Sequence, residues 1–321
     1  MNAAGITIGI ATRDRPAALE RCLRSLAFVS HLSPEVLVFD DASSVPVHDQ
    51  GTGWDLALAV RVVRDDRAPG YIAGRNRLVR EASAPFVLLM DDDAALIGGD
   101  AAGRGIDVLQ RDARIAAVAF AQCDRHGARW DDAMQPAPGR AACYVPSFIG
   151  FAHLVRREVF VALGGYRESF EFYGEEKDFC LRLIEAGYRT VYLPDALVIH
   201  EPDQAGRSQQ RYLRYVTRND CLNALYNDPL SRLTWILPAR LALYFRMRRA
   251  WNVDDPWGWA WILRQLWKNA GGVWRDRRPV SRATVATWKR LRTAPEIYQT
   301  TNLERRTPNP EPRTPDAEPD P

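Results

Sequence analysis

Three consecutive aspartates, Asp91, Asp92 and Asp93, directly follow the apolar run 86–90. Like charges a few Å apart repel one another, and burial of an unpaired carboxylate is costly. A divalent cation removes this repulsion, because Mg²⁺ and Mn²⁺ take oxygen ligands and can bridge to a diphosphate. The triplet therefore predicts either a metal-dependent phosphate site or a solvated turn in which an aspartate caps the next helix.

A second acidic pair, Asp40 and Asp41, ends the strand-like segment 35–40 and is followed by small residues that allow a tight turn. A carboxylate at this position can accept a hydrogen bond from the N3–H of uracil or thymine, or from a ribose hydroxyl. The alternative is an ordinary turn without a ligand. The pair therefore predicts either a nucleoside contact or a structural turn.

Two adjacent glutamates, Glu175 and Glu176, open a predicted helix. Beside a cleft, such a pair tends to raise the pKa of one carboxyl group, which could then act as general base for a sugar hydroxyl. The alternative is that the two glutamates have no catalytic role and are present because the helix dipole stabilises acidic residues in a first turn.

Asp178 and Arg182, four residues apart, are interpreted as a structural pair. His200, alone at a strand end, is either a hydrogen-bonded surface residue or a nitrogen ligand for the same metal.

A glycine-containing segment, 64–82, precedes the aspartate triplet. Gly70 and Gly74 permit close approach of the backbone to a ligand, and Arg75 and Asn76 could meet phosphate or sugar. The segment has neither G-x-G-x-x-G nor G-x-x-x-x-G-K-[ST]. A dinucleotide site or a P-loop is therefore not expected here.

The candidate residues stand at the ends of alternating strand-like and helix-like segments. The strand-like segments are 6–10, 35–40, 59–64, 86–90, 114–120, 190–194 and 197–200, and the helix-like ones include 16–26, 71–83 and 174–188. Strands that alternate with helices predict an α/β fold with a mostly parallel sheet. Such sheets bind ligands beyond the carboxyl ends of their strands, which is where the acidic residues fall.

The composition is typical of a globular protein: 46% of the 321 residues are apolar and 26% are charged. No apolar run approaches the roughly 18 to 20 residues that span a bilayer, and no signal peptide is expected. The five cysteines are scattered and form no C-x-x-C motif. This usage is typical of reduced thiols in a cytoplasm and argues against a zinc site.

The positive charge is concentrated near the C-terminus. The stretch 231–293 holds 14 Lys and Arg against 3 Asp and Glu, although the net charge of the chain is only +3, and eight of the ten tryptophans lie from Trp235 onward. Basic residues with tryptophan predict contact with an anionic membrane surface, whereas a helical extension that packs on the catalytic domain or forms a dimer is the alternative. Nucleic-acid binding is not expected, because no reader motif is present.

Taken in order, these motifs resemble those of the family 2 inverting glycosyltransferases of the GT-A fold. The segments that carry the resemblance are T-R-D-R at 12–15, F-D-D-A-S at 39–43, A-P-G to G-R-N at 68–76, M-D-D-D at 90–93, G-E-E-K-D-F-C-L-R at 174–182, and His200. The resemblance covers roughly 5–220. It implies an α/β GT-A fold with a Rossmann-like, mostly parallel central sheet and flanking helices. The helical pattern from 207 onward predicts a C-terminal helical extension in addition.

The resemblance also implies roles for individual residues. The nucleotide-sugar-binding residues would be Thr12, Arg13, Arg15, Asp40, Asp41, Gly70, Arg75, Asn76, Asp91 and Asp92. Asp91, Asp93 and His200 would bind Mn²⁺ or Mg²⁺. Glu176 would be the catalytic base, with Glu175 as the alternative. The segment 147–170 would shape the acceptor site, although packing of sheet and helix explains it equally well.

We expect three parts in the chain. The resemblance implies a catalytic domain at 1–220, with a nucleotide-binding half at about 1–120 and an acceptor half at about 121–220. The composition predicts a basic Trp-rich helical extension at 221–300 and a disordered tail, rich in Pro and charge, at 301–321. The chain would transfer a sugar from a UDP- or dTDP-activated donor to a saccharide, lipid-linked or small-molecule acceptor. This reaction would serve the glycosylation of a cell-surface polysaccharide, a glycolipid or a natural product. The opening motif R-D-R-P, at 13–16, resembles that of rhamnosyltransferase-like members of the family. The expected location is the cytoplasm, with peripheral contact at the inner face of the membrane.

Two other functions remain open. A nucleotidyltransferase that makes sugar nucleotides could use a similar scaffold, but the segment 11–16 lacks the glycines that would handle a triphosphate. A non-catalytic module that binds a nucleotide or a sugar is the third possibility, against which the intact acidic residues argue.

Overall fold

The computed structural model describes residues 5–50, 56, 58–98, 100–202 and 208–299. The strands in this part of the chain are β1 (Ile6–Thr12), β2 (Glu35–Asp40), β3 (Val60–Arg64), β4 (Phe86–Asp91), β5 (Ala94–Leu96), β6 (Ile115–Cys123), β7 (Cys143–Val145), β8 (Ala152–Arg156), β9 (Arg189–His200) and β10 (Glu296–Ile297). The α-helices are α1 (Pro16–Ser25), α2 (Val47–Gln50), α3 (Tyr71–Glu81), α4 (Ala101–Arg111), α5 (Arg157–Ala162), α6 (Glu175–Glu185), α7 (Gln209–Asn227), α8 (Leu230–Ala250), α9 (Gly258–Asp276) and α10 (Arg282–Thr293).

The described strands form one mixed sheet in the order β10-β7-β9-β6-β8-β4-β1-β2-β3, with β5 beside β9. The strands β3, β2, β1 and β4 run parallel, and β6 runs parallel to β9. This confirms the predicted α/β fold with its mostly parallel central sheet. Strand β8 lies antiparallel between β4 and β6, which local patterns did not indicate. Its start, opposite the end of β4, brings the 147–151 loop to the aspartate triplet.

Helices cover both faces of the sheet, which explains why the central strands are apolar on both sides. In β4, Phe86, Leu88 and Met90 face one buried cluster, and Val87 and Leu89 face the other. The first cluster includes residues of α1 and α4, and the second includes residues of α3, α5 and α6. The run 86–90 therefore lies at the centre of the core and delivers the aspartates to its edge.

The predicted short strands 190–194 and 197–200 are one strand, β9. Its pairing with β6 shifts register between Phe120, opposite Leu193, and Ala121, opposite Leu197. Pro194 lies within this irregularity, where its missing N–H costs no ladder hydrogen bond. The continuous strand carries His200 across to β5.

The last four helices follow the sheet. Helix α7 packs against α8 and α9, and α10 packs against α6. The boundary predicted after residue 220 falls inside α7, and the predicted disordered tail, 301–321, lies outside the described residues. Among the described residues, none of the helices combines the length and the apolar character that crossing a membrane requires.

Candidate active site

The sheet collects the predicted residues at one edge. Thr12, Asp40 and Asp91 lie at the ends of the neighbouring parallel strands β1, β2 and β4. His200 ends β9 and pairs with Ala94 of β5, which follows the triplet directly. The edge location follows from strand direction, since parallel strands end on the same side of a sheet.

Asp91, Asp93 and His200 converge: each offers one ligand atom, and these atoms lie within 4.8 Å of one another. The Nε2 atom of His200 is 3.7 Å from Oδ1 of Asp93. This oxygen is buried and has no hydrogen-bond partner among the described residues. Two carboxylates and an imidazole suit Mn²⁺, and a buried carboxylate oxygen without a protein partner fits the role of a metal ligand.

The imidazole of His200 is oriented by residues that the sequence did not identify. Its Nδ1 lies 2.5 Å from Oε1 of Gln122, whose Nε2 donates to the carbonyl of Met134. Nδ1 therefore faces the amide oxygen of Gln122, and Nε2 is the ring nitrogen that faces Asp93. The rings of Trp130 and Phe151 stack on the imidazole, with centroid distances of 5.5 and 4.8 Å. No local motif marks Gln122 or Trp130, and Phe151 lies in the segment 147–170 that was expected to shape the acceptor site; only the fold brings them to His200.

Asp92, the central aspartate, is held by the first loop. Thr12 donates to its Oδ2 over 2.7 Å, and Arg15 forms ion pairs with both Asp92 and Asp93. Burial raises the pKa of Asp92 to about 7, against the opposing effect of Arg15. Thr12 and Arg15 thus hold the acidic loop in place, and their contacts with a ligand stay predictions.

Arg75 connects the metal-type cluster to the glutamates. Its guanidinium, 2% exposed, donates to Oδ1 of Asp91 over 2.5 Å and to Oε1 of Glu175 over 3.0 Å. It also donates to the carbonyl of Gly150 over 2.8 Å, and its charge lies over the ring of Tyr71. These contacts leave Arg75 as a fixed internal cation that orients two carboxylates.

The two glutamates differ in accessibility. Glu175 is fully buried, whereas Glu176 is half-buried and has surface to offer a ligand. Burial raises the pKa of both carboxyl groups, and their mutual repulsion adds to the rise at Glu175. A carboxylate with a raised pKa and an exposed edge is suited to accept a proton from a substrate.

Asp41, Arg13 and Gly70 line the nucleotide-side loop. Oδ1 of Asp41 accepts from the backbone N–H of Gly70 over 2.9 Å, and Oδ2 lies 3.9 Å from the guanidinium of Arg13. Gly70 has a φ of +92°, which favours glycine, and precedes α3. Arg13 is largely exposed and can reach a ligand.

Asp40 and Asn76 have protein partners instead. Both oxygens of Asp40 are bonded, to the backbone N–H groups of Ser43 and Val47 and to Arg64. The amide of Asn76 bonds to the backbone of Tyr166 in both directions. In the structure, Asp40 fixes the turn after β2, and Asn76 fixes the backbone at Tyr166. Their ligand contacts stay predictions.

The interpretation of Asp178 as structural agrees with its surroundings. It is fully buried and accepts hydrogen bonds from Arg182, Arg167 and Asn227. These cations and the amide hold the pKa of Asp178 low despite its burial.

Comparison with known proteins adds a family and a fold. Residues 7–164 match the family model described as glycosyl transferase family 2. Over 212 residues the chain is 28% identical to the pre-mycofactocin glycosyltransferase of Mycobacterium tuberculosis (strain H37Rv). This aligned region covers 61% of this chain and 42% of that protein. Over 101 residues it is 34% identical to the N-acetylglucosaminyl-diphospho-decaprenol L-rhamnosyltransferase of the same strain, covering 29% of this chain and 32% of that protein. The chain thus spans less than half the length of these relatives.

Solved structures resemble this one at low sequence identity. The mannosyltransferase PcManGT from Pyrobaculum calidifontis, in complex with GDP-Man and Mn²⁺, has a TM-score of 0.55 and 17% identity, over 88% of this chain and 78% of that chain. Residues 1–349 of S. aureus TarS, in complex with UDP-GlcNAc, give a TM-score of 0.58 and 15% identity, over 85% and 82%. At these identities the likeness concerns the fold, which is the GT-A fold.

Proposed function

The chain belongs to glycosyltransferase family 2, and on this premise we propose that it transfers a glycosyl group from a nucleoside diphosphate sugar to an acceptor hydroxyl, with inversion at the anomeric carbon. One observation carries the proposal: Arg75 joins a cluster of potential metal ligands to a pair of glutamates with raised pKa. Glycosyl transfer needs both parts, a site that stabilises a leaving diphosphate and a base beside it.

The donor would lie across the strand ends, with its base at the first loop. Asp41 would accept from the N3–H of uracil or thymine, beside Thr12 and Arg13. We therefore propose UDP- or dTDP-sugars as donors. The nucleotide sugars bound by PcManGT and TarS, GDP-Man and UDP-GlcNAc, support this class of ligand.

Mn²⁺ or Mg²⁺ would be held by Asp91, Asp93 and His200, the residues whose ligand atoms converge. The Mn²⁺ in the PcManGT complex supports this choice. When bound, the ion supplies positive charge to the diphosphate. Arg15 holds Asp93 from one side and Arg75 holds Asp91 from the other, which keeps the carboxylates in place.

Glu176 would take the proton from the acceptor hydroxyl. The oxygen then forms a bond to the anomeric carbon from the side opposite the leaving group. The bond between the anomeric carbon and the phosphate oxygen breaks, and its electron pair leaves with the nucleoside diphosphate. One displacement of this kind inverts the anomeric configuration, and Glu175, buried against Arg75, orients the site.

We further propose that the basic C-terminal helices contact an anionic membrane surface. On α9, Trp267 and Trp274 are 80% and 84% exposed, next to Lys268 and Arg275. Exposed tryptophans beside cations suit the headgroup region of a bilayer. Such contact would bring the catalytic cleft to a lipid-linked acceptor.

Calorimetric titration of the protein with UDP, dTDP and GDP, each with Mn²⁺ and with EDTA, tests the donor site. We expect binding of UDP or dTDP that depends on Mn²⁺ and that is lost in Asp93→Asn. Asp107→Asn, which changes an exposed carboxylate on α4, is the matched control and should bind as the wild type does. Failure of all three nucleotides to bind would contradict the proposed function.

A further inference from the structure

A groove of about 620 Å³ lies between α6, α7, α8 and α10. Its apolar lining comes from Leu181 of α6, Ile236 and Leu243 of α8, and Val285 of α10, with Trp235 and Trp288 on its walls. This volume is ample for a hydrocarbon chain, and the lining matches one chemically. The groove lies outside the residues implicated in donor binding.

Unpaired polar atoms indicate that the groove has a polar ligand as well. Nδ2 of Asn223, Oδ1 of Asn227 and Nε1 of Trp288 are buried and have no hydrogen-bond partner among the described residues. Asn223 is 3% exposed and Asn227 is 1% exposed, and both line the groove. Buried polar atoms in folded proteins are normally paired, so two donors and an acceptor in one groove indicate a missing partner.

The charges that line the groove select an anion. Six cationic side chains line it against two carboxylates: Lys177, Arg232, Arg240, Arg246, Lys289 and Arg292 against Asp220 and Asp228. Lys177, Arg232 and Arg240 pair with these aspartates. Among the described residues, Arg246, Lys289 and Arg292 form no ion pair. The groove thus combines an apolar lining with uncompensated positive charge.

A smaller pocket of about 140 Å³ adjoins the groove near the start of α6. It shares Lys177, Asp220 and Asn223 with the groove and reaches Gly174, the residue before Glu175. An acceptor that extends from the groove through this pocket would approach the start of α6, the helix that carries Glu176.

We propose that the groove binds the carrier portion of an amphiphilic phosphate-ester acceptor, with its phosphate at the cationic side chains and Asn223 and its hydrocarbon chain on the apolar lining. The inference rests on the proposed glycosyl transfer and names the class of acceptor for that site. Neither a free saccharide nor a free phosphate would use both the apolar lining and the charges.

Farnesyl phosphate, kept below its micellar concentration, is a suitable probe, with inorganic phosphate and farnesol as controls for its two halves. By titration calorimetry we expect one site that binds farnesyl phosphate at least about tenfold more tightly than either control. Arg246→Glu should weaken this binding about fivefold or more, because it reverses a charge in the groove. Arg249→Glu, an exposed change on the same helix outside the groove, should leave it unchanged.

Asn223→Leu separates a binding role from a structural one. It should weaken farnesyl phosphate binding while the melting temperature is kept or raised, because it removes an unpaired buried amide. Equal affinity for farnesyl phosphate and either control, or equal binding by Arg246→Glu and Arg249→Glu, would overturn the proposal. If UDP or dTDP still binds with Mn²⁺ while farnesyl phosphate does not, the groove proposal alone fails; if the nucleotides do not bind, the proposed function fails.

Discussion

Gly150 leaves the space that Glu176 occupies. A Cβ atom at position 150 would lie 2.3 Å from Oε1 of Glu176, which is closer than real Cβ atoms approach. It would also make a tight contact of 3.1 Å with Nη1 of Arg75. The backbone of Gly150 also accepts from Arg75. The loop before β8 therefore sets the position of the proposed base and of the cation that connects it to Asp91.

Gly150→Ala should displace Glu176 and Arg75. We expect release of nucleoside diphosphate from a UDP- or dTDP-sugar to fall about 10²-fold, because small displacements of a catalytic group have effects of this size. The dissociation constant of the donor should change much less. Gly98→Ala, where a Cβ meets open space, is the control. Unchanged turnover in Gly150→Ala would contradict the positioning role.

The assignment of the base is tested by Glu176→Gln and Glu175→Gln. Glu176→Gln should keep Mn²⁺-dependent donor binding and lose turnover by about 10²-fold or more, since an amide accepts no proton. Glu175→Gln should lower the unfolding temperature, because it weakens the buried contact between Glu175 and Arg75. If Glu176→Gln turns over normally, and Glu175→Gln loses turnover without losing stability, the base is Glu175 and not Glu176.

The raised pKa of Asp92 predicts a pH-dependent stability in the presence of EDTA. Its pKa lies at about 7 in the folded chain and at the ordinary 3.8 when unfolded. Between these values the folded chain holds a proton that the unfolded chain has released, so the free energy of unfolding falls as pH rises, by at most about 1.4 kcal/mol per pH unit. Urea unfolding at several pH values should show a flatter profile for Asp92→Asn than for the wild type. Equal slopes in the two proteins would refute this pKa.

A double variant, Trp267→Ser with Trp274→Ser, tests whether α9 contacts a membrane. In cosedimentation with phosphatidylglycerol vesicles, we expect about tenfold weaker binding than for the wild type, because two exposed rings no longer enter the interface. Phe28→Ser, which changes a side chain that is 56% exposed near α1, should bind normally. Added salt should weaken wild-type binding. Equal vesicle binding by the Trp variant and the wild type would exclude α9 as the contact.

Much of the fold and part of the site follow from local sequence. The apolar run 86–90, its aspartates and the helix that Glu175 opens were predictable, because strand alternation, helical periodicity and acidic residues at strand ends are properties of short segments. The order of the motifs indicated the family, which the family model confirms over residues 7–164. Local pattern also separated Asp178 and Arg182 as a structural pair.

Only the tertiary structure decided which of these residues meet. Arg75 reaches Glu175, one hundred residues away, and His200 reaches Gln122, seventy-eight residues away. These contacts depend on β8 lying antiparallel between β4 and β6 and on β9 crossing to β5. Strand order is a choice among many pairings of similar local stability, so it is fixed by packing of the whole sheet and is not written in any one segment.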